Sequence, residues 1–399
     1  MHRLEAMPRI LFGTHSASVG PPLVSQASLA LASTLEAFGA NAEAERAAED
    51  AYFGALRGPR GAGFDAAIAL ALITGPRLRR WDDANRWVRA ADAAALDPDE
   101  PTTASRLATA RGHVADGRGE YLVAKGHYER ALQMEVVADG PVHPTSATLL
   151  SNLANIHRKL GRLEEAVALH RKALAVTEAC YGPRHPDVAG VLLNLSNALV
   201  HASFYEEAKL AATRALEIQE AVYGRDSEPV RRVLINLATA ESRLGDVGRM
   251  VATFERIAEL TEQRFGPDDM ETADALGNLA VTLQTAGRAE ETLPLLRRAL
   301  DISERHLGGD HPDVALARFN LGVTLQQQGE HAKAIEEFAG ALRSLEAAFG
   351  VESHQLVGPL AAIAESSAEL GDLSVALSYG GNRSPPGLKD ESAMRTLEG

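Results

Sequence analysis

Apolar positions recur three and four residues apart along most of this chain, the spacing that gathers them on one face of an α-helix, with polar residues between them. The pattern is itself periodic. Aligned on itself, the sequence returns every 42 residues: Gly140-Pro141-Val142-His143-Pro144 comes back as Gly182-Pro183-Arg184-His185-Pro186, persists as Gly224 and Gly266-Pro267, and reappears as Gly308-Gly309-Asp310-His311-Pro312. Gly350 opens a further copy. Each copy holds two amphipathic segments. The first contains Leu150-Ser151-Asn152-Leu153-Ala154, and its Leu153 recurs as Leu195, Leu237, Leu279 and Leu321. The second follows an internal glycine (Gly161, Gly245, Gly287, Gly329, with Ser203 in that slot once) and carries runs such as Glu164-Glu165-Ala166 with Ala173-Leu174. A glycine there ends the first helix where a left-handed residue is needed, so each copy is predicted to be a helical hairpin.

Small residues at fixed places, Ala154, Ala166 and Ala173 among them, let two helix backbones approach to about 8 Å. The large residue ending the second helix (Tyr181, Tyr223, Phe265, Leu307, Phe349) is expected to plug the joint to the next hairpin. No hairpin buries its apolar face alone, so stability must come from stacking. A weaker copy lies upstream in Gly119-Glu120-Tyr121, Ala124, Tyr128 and Ala131-Leu132, and Arg80-Trp81-Asp82-Asp83-Ala84 reads as a degenerate start of a second helix, displaced by two residues. In the copy from Gly224, Met250 and Ile257 replace the two alanines, which predicts a looser joint. The expected organisation is an irregular segment over residues 1–24, degenerate helical repeats or a cap over 25–97, stacked repeats over 98–379 and a disordered tail over 380–399.

These features resemble the tetratricopeptide repeat family, in its 42-residue variety known from kinesin light chains and bacterial signalling proteins. The resemblance implies an all-α fold, a right-handed superhelical solenoid of antiparallel helix hairpins, with the first helix of each hairpin lining a concave groove that holds a partner peptide or domain. Many bacterial serine/threonine kinases look like a catalytic domain followed by repeats of this type. An origin as the C-terminal regulatory repeat region of such a kinase is therefore one alternative, and a self-assembling structural solenoid is another.

Forty Lys plus Arg against 54 Asp plus Glu give a formal charge of -14, which argues against general attraction to nucleic acid or anionic membrane. A single cysteine, Cys180, excludes an intramolecular disulfide and multi-cysteine metal sites within one chain, and fits a reducing cytoplasm. No apolar run reaches the ~20 residues of a membrane helix. Met1-His2-Arg3-Leu4-Glu5 carries an acid where a signal peptide needs an apolar core.

The sequence contains no phosphate loop, His-Glu-x-x-His, Gly-x-Ser-x-Gly or protein-kinase signature, so no enzyme and no cofactor is expected. His143, His185 and His311 cannot share a metal, because equivalent atoms of adjacent repeats lie roughly 20 Å apart; histidine-proline is better read as the start of the next helix. Glu164-Glu165, Glu206-Glu207 and Glu290-Glu291 sit where a helix dipole favours negative charge. Glu178, Glu220, Glu262, Glu304 and Glu346 fall near the end of the second helix, where it does not, so a bond to the neighbouring repeat or solvent exposure is expected.

One asparagine per repeat, Asn152, Asn194, Asn236, Asn278 and Asn320, stands in the first helix, although asparagine is a poor interior helix residue. An amide both donates and accepts, which suits it to gripping an extended peptide backbone; alternatively each asparagine ties one hairpin to the next. The family resemblance places this ladder in the groove, with Asn155 and Asn197 one turn along. It places Arg106, His113, Arg158, Lys159, His201, Arg232 and Arg243 there, followed by Asp274, Gln284, Phe319, Gln326 and Gln327; the basic first half would either steer an acidic partner or be ordinary hydrated surface.

Overall fold

The structure, a computed structural model, describes residues 21–37, 39–56, 58 and 63–381. Among them there is no β-strand, and the fold is all-α, built of tandem antiparallel hairpins of the solenoid class. The chain divides into two compact units, Met1–Phe204 and Tyr205–Gly399. The first contains α1 (Pro21–Ala37), α2 (Asn41–Ala55), α3 (Phe64–Leu72, running into a π-helical turn at Ile73–Arg77), α4 (Trp81–Ala94), α5 (Pro101–Gly117), α6 (Tyr121–Asp139), α7 (Pro144–Lys159), α8 (Leu163–Tyr181) and α9 (Pro186–His201). The second contains α10 (Tyr205–Tyr223), α11 (Glu228–Leu244), α12 (Val247–Phe265), α13 (Met270–Thr285), α14 (Ala289–Leu307), α15 (Pro312–Gln327), α16 (His331–Phe349), a 3-10 turn at His354–Leu356, α17 (Val357–Glu369) and α18 (Leu373–Gly381). Helicity thus reaches four residues into the segment expected to be irregular and includes the first two residues of the expected tail. Those expectations otherwise concern residues 1–20 and 382–399, outside the described residues.

Local chemistry sets the helix ends. Pro144, Pro186 and Pro312 occupy the first helical position, and the His185 and His311 Nδ1 atoms accept the N–H of Asp187 and Asp313, each at 3.2 Å. At the hairpin bend, Gly245 has φ 70°, and its slot is filled in the first unit by Ser203 at φ 63°. A side chain with a Cβ is strained in that region. Ser203→Gly is therefore expected to stabilise the first unit by about 1 kcal/mol in urea unfolding, where Gly245→Ser should destabilise the second by a similar amount.

Packing inside the hairpins depends on matched sizes. Tyr128 and Phe338 are almost wholly buried, and each lies against a glycine of the preceding helix: a Cβ on Gly112 would come within 2.6 Å of the Tyr128 ring, and one on Gly322 within 2.6 Å of Phe338. The repeat register puts Ala280 opposite Leu296 and Ala238 opposite Phe254 in the same two places, within shared apolar clusters. The predicted loose joint is closed, since Met250 and Ile257 are both buried. The predicted plugs behave differently. Tyr181, Tyr223, Phe265 and Phe349 each leave a good part of their surface exposed, and Tyr181 stacks on His185 while Phe265 lies beneath Arg231 and Arg264. Leu307 packs against the core cluster that holds Leu321 and Phe338. The joints are filled from the helix faces, which leaves the end of the second helix over the connecting loop.

The glutamates near those helix ends acquire cations from the next layer. Glu220 meets Arg256 at 2.6 Å, and Glu262 receives both arms of Arg298 at 3.0 and 2.7 Å. In the following layer Gly340 stands in the arginine slot, and Arg318 of α15 enters that space to reach Glu304 and Glu337. Such partly exposed pairs contribute modest stability each, and they favour one register of a layer on the next.

Candidate functional site

In the second unit the first helices of successive hairpins, α13 and α15, bring their asparagines to one place. Asn278 and Asn320 line a common cavity of about 420 Å³ floored by Leu296 and Ala299 of α14. The apolar run on each helix turns its leucines inward, so residues three and four places apart on the opposite stripe, Asp274, Asn278 and Val281 on α13 and Asp313, Leu316 and Asn320 on α15, are left to form the walls. Neither asparagine amide makes a hydrogen bond with another of the described residues; only their backbone carbonyls are engaged, by Thr282 and Thr324. Both amides are free to serve a ligand. Gly277 also faces this cavity, and a Cβ built there meets nothing within 4 Å.

The cavity is acidic. Asp274 makes no ion pair among the described residues, and burial together with the like charges of Glu271 and Asp313 pushes its carboxyl above the ordinary aspartate value. No basic residue lines the cavity.

The remaining expected site residues fall into distinct settings. Asn236 is half-buried and engaged by other residues. Arg232 and Arg243 are exposed on α11. Gln284 donates to Gln327 at 2.5 Å and Gln326 to Glu365 at 3.2 Å, so these amides link neighbouring layers. Phe319 is partly buried against Phe338, with centroids 5.4 Å apart, and belongs to the core rather than to the cavity.

In the first unit the Asn152 amide nitrogen is buried without a hydrogen-bond partner among the described residues. Asn155 is half-buried, and Asn194, Asn197 and His201 are exposed. The basic character expected here is partly cancelled. Lys159 reaches Asp116 at 2.5 Å and lies over the Tyr121 ring, while Arg106 pairs with Asp65 at 2.6 Å over Phe64. His113 is turned toward the hairpin partner, its Nδ1 2.9 Å from the Tyr128 hydroxyl. Arg158 is close enough to His170 for its charge to help depress that imidazole. What remains of the basic patch is Arg158 and His201.

Sequence reasoning did not find Asp313, Leu316 or the α14 floor. Asp313 follows histidine-proline just as Asp187 does, and that context reads only as a first-turn acid. Of metal-like groupings among the described residues, one has suitable spacing: Glu135, Asp139 and His143. Its buried Glu135 is already held by the Ser105 hydroxyl at 3.0 Å and His143 Nδ1 at 2.8 Å, which explains it as a tie between α5, α6 and the loop before α7.

Antiparallel hairpins repeated along the chain define a helical repeat scaffold. The chain belongs to the tetratricopeptide repeat family, whose model matches residues 103–179, 145–221, 229–305 and 271–347, overlapping windows that cover more than half of its length. Membership makes it a protein-interaction scaffold rather than an enzyme. Among solved structures it is similar to the apo form of RapI (13% identity, TM-score 0.61, covering 94% of this chain and 98% of that one). It is also similar to BtubC (BKLC) from P. vanneervenii (21%, TM-score 0.50, 58% and 92%). A third is a Rap protein complexed with Competence and Sporulation Factor (14%, TM-score 0.50, 91% and 97%). At these identities the likeness concerns the fold. No curated protein matches the chain in sequence. None of the described helices is long and apolar enough to cross a membrane.

Proposed function

We propose that the chain binds an extended segment of a partner protein along the first helices of its hairpins, with Asn278 and Asn320 gripping the segment's backbone, Asn152, Asn194 and Asn236 as their counterparts in the other repeats, and Asn155 and Asn197 as further amides one turn along. The observation that carries this reading is the pair of unpartnered amides on one cavity. Had the ladder served to tie hairpins together, those amides would be bonded to the neighbouring helix, as Gln284 and Gln327 are. The exposed Arg232 and Arg243, with Arg158 and His201 in the first unit, support an acidic stretch within the bound segment; Lys159 joins them only by giving up its pair with Asp116. The cytoplasm is the compartment this reading assumes, in keeping with one cysteine. Whether the chain acts as the repeat region of a kinase is decided by sequencing the upstream reading frame for a Gly-rich loop and a His-Arg-Asp segment.

Panning a random linear peptide library on the intact chain tests the reading. Selected peptides are expected to bind at least tenfold more weakly to Asn278→Ala/Asn320→Ala, because each lost amide removes hydrogen bonds to the peptide backbone. They should also lose binding to Gly277→Phe, whose ring occupies the cavity. Thermal melts of both variants should stay within the range of ordinary surface changes, since neither amide is used in the fold. Peptides indifferent to both changes would place binding elsewhere.

A further inference from the structure

We propose that the cavity between α13 and α15 selects a basic side chain, lysine or arginine, from the bound segment; this rests on the groove reading above and adds the chemistry of one subsite. Two carboxylates, Asp274 and Asp313, line the cavity; Asp274 has no ion-pair partner among the described residues, and Asp313, largely open to solvent, has beside it only the His311 Nδ1 at 3.6 Å, a nitrogen that already accepts the Asp313 N–H. Like charges that share one cavity repel, and an incoming cation relieves that repulsion while making charge-assisted hydrogen bonds. Partial burial first, and then the like charges of Glu271 and Asp313, hold the Asp274 carboxyl toward its protonated form.

The shape favours an organic cation on a stem. A bare divalent ion needs several oxygens converging at about 2 Å, and the only described grouping of metal-like spacing is the one around Glu135. The cavity of about 420 Å³ is instead walled by Val281, Leu316 and Ala317, against which a methylene chain can lie while its charged end reaches the carboxylates. The amide oxygens of Asn278 and Asn320 add neutral acceptors beside them. The preference is also local. In the repeat register Asp274 takes the place that Arg232 occupies on α11, so the inward stripe changes sign within a single layer, and a segment carrying an acid before a base is fixed in one direction.

The experiment uses the intact chain and the same panned peptides. Sequences recovered on the native protein are expected to share a lysine or arginine at one position, and replacing it with norleucine in the synthetic peptide should weaken binding about tenfold by fluorescence anisotropy. On Asp274→Asn/Asp313→Asn, a nearly isosteric change, the same replacement should cost less than about twofold. Peptides recovered without a shared basic residue, or an undiminished preference on the doubly neutralised chain, would overturn the subsite while leaving the groove reading intact. Failure to recover any peptide on the native chain would sink both. Coincident circular dichroism melts of native and variant chains confirm that the comparison is between folded proteins.

Discussion

Phe338→Ala is expected to destabilise the second unit by about 3–5 kcal/mol, the largest loss anticipated for any single substitution in it. Phe338 is fully buried, and its ring fills the space that Gly322 leaves open on the facing helix, so truncation leaves a cavity against the bare Gly322 backbone. The converse change is informative too. Gly322→Ala improves helix propensity by about 1 kcal/mol, yet it drives a methyl to 2.6 Å from the ring, and overpacking of this kind costs about 1–3 kcal/mol. A net destabilisation is expected, recovered largely by adding Phe338→Leu, because alanine facing leucine is the combination already present at Ala280 and Leu296. Urea unfolding with hydrogen exchange in α15 and α16 measures all three proteins. An additive double variant would show that the two residues do not share the space.

Acid should weaken the first unit through His170. That imidazole is 1% exposed, its Nδ1 has no hydrogen-bond partner among the described residues, and burial, assisted by the Arg158 charge, depresses its pKa from 6.5 to about 4. The unfolded chain takes up a proton near the ordinary value and the folded chain does not. Stability is therefore complete above pH 6.5 and lost as pH falls from there to about 4, by about 3 kcal/mol. His113, His127 and His157 are depressed in the same direction by burial and add to the loss. His170→Phe places in this slot the residue that Phe254 and Phe338 supply elsewhere, and should remove the His170 part. Unfolding measured at pH 7, 5.5 and 4 should show the native protein weakening more steeply than the variant; parallel curves would mean that His170 is not buried neutral.

The hairpins were legible because a repeat states its pattern many times over. Leucine at one place, a left-handed slot at another and proline after histidine recur at one interval, and each has a local cause that needs no knowledge of distant residues. The amide ladder was legible for the same reason, as a polar residue repeated where helices disfavour it. Charge was harder to read. Lys159 and Arg106 look like free cations in one dimension, and their carboxylates, Asp116 and Asp65, lie on other helices. His113 looks like a groove residue until Tyr128 is found opposite it. The aromatic plugs failed on a similar point: the sequence gives the end of a helix, but whether that end meets a joint or a solvated loop depends on how layers tilt against each other.

Period and helical phase alone therefore determine the hairpins, their boundaries and the stripe on which the asparagines lie, since these follow from backbone geometry within a few dozen residues. Only the packed layers decide which of those side chains keep their hydrogen-bonding capacity. Asn278 and Asn320 remain free where Gln284 and Gln327 are consumed, and Asp274 acquires Asp313 as a neighbour from the next hairpin, because these relations are set by the offset between helices that the chain visits some forty residues apart.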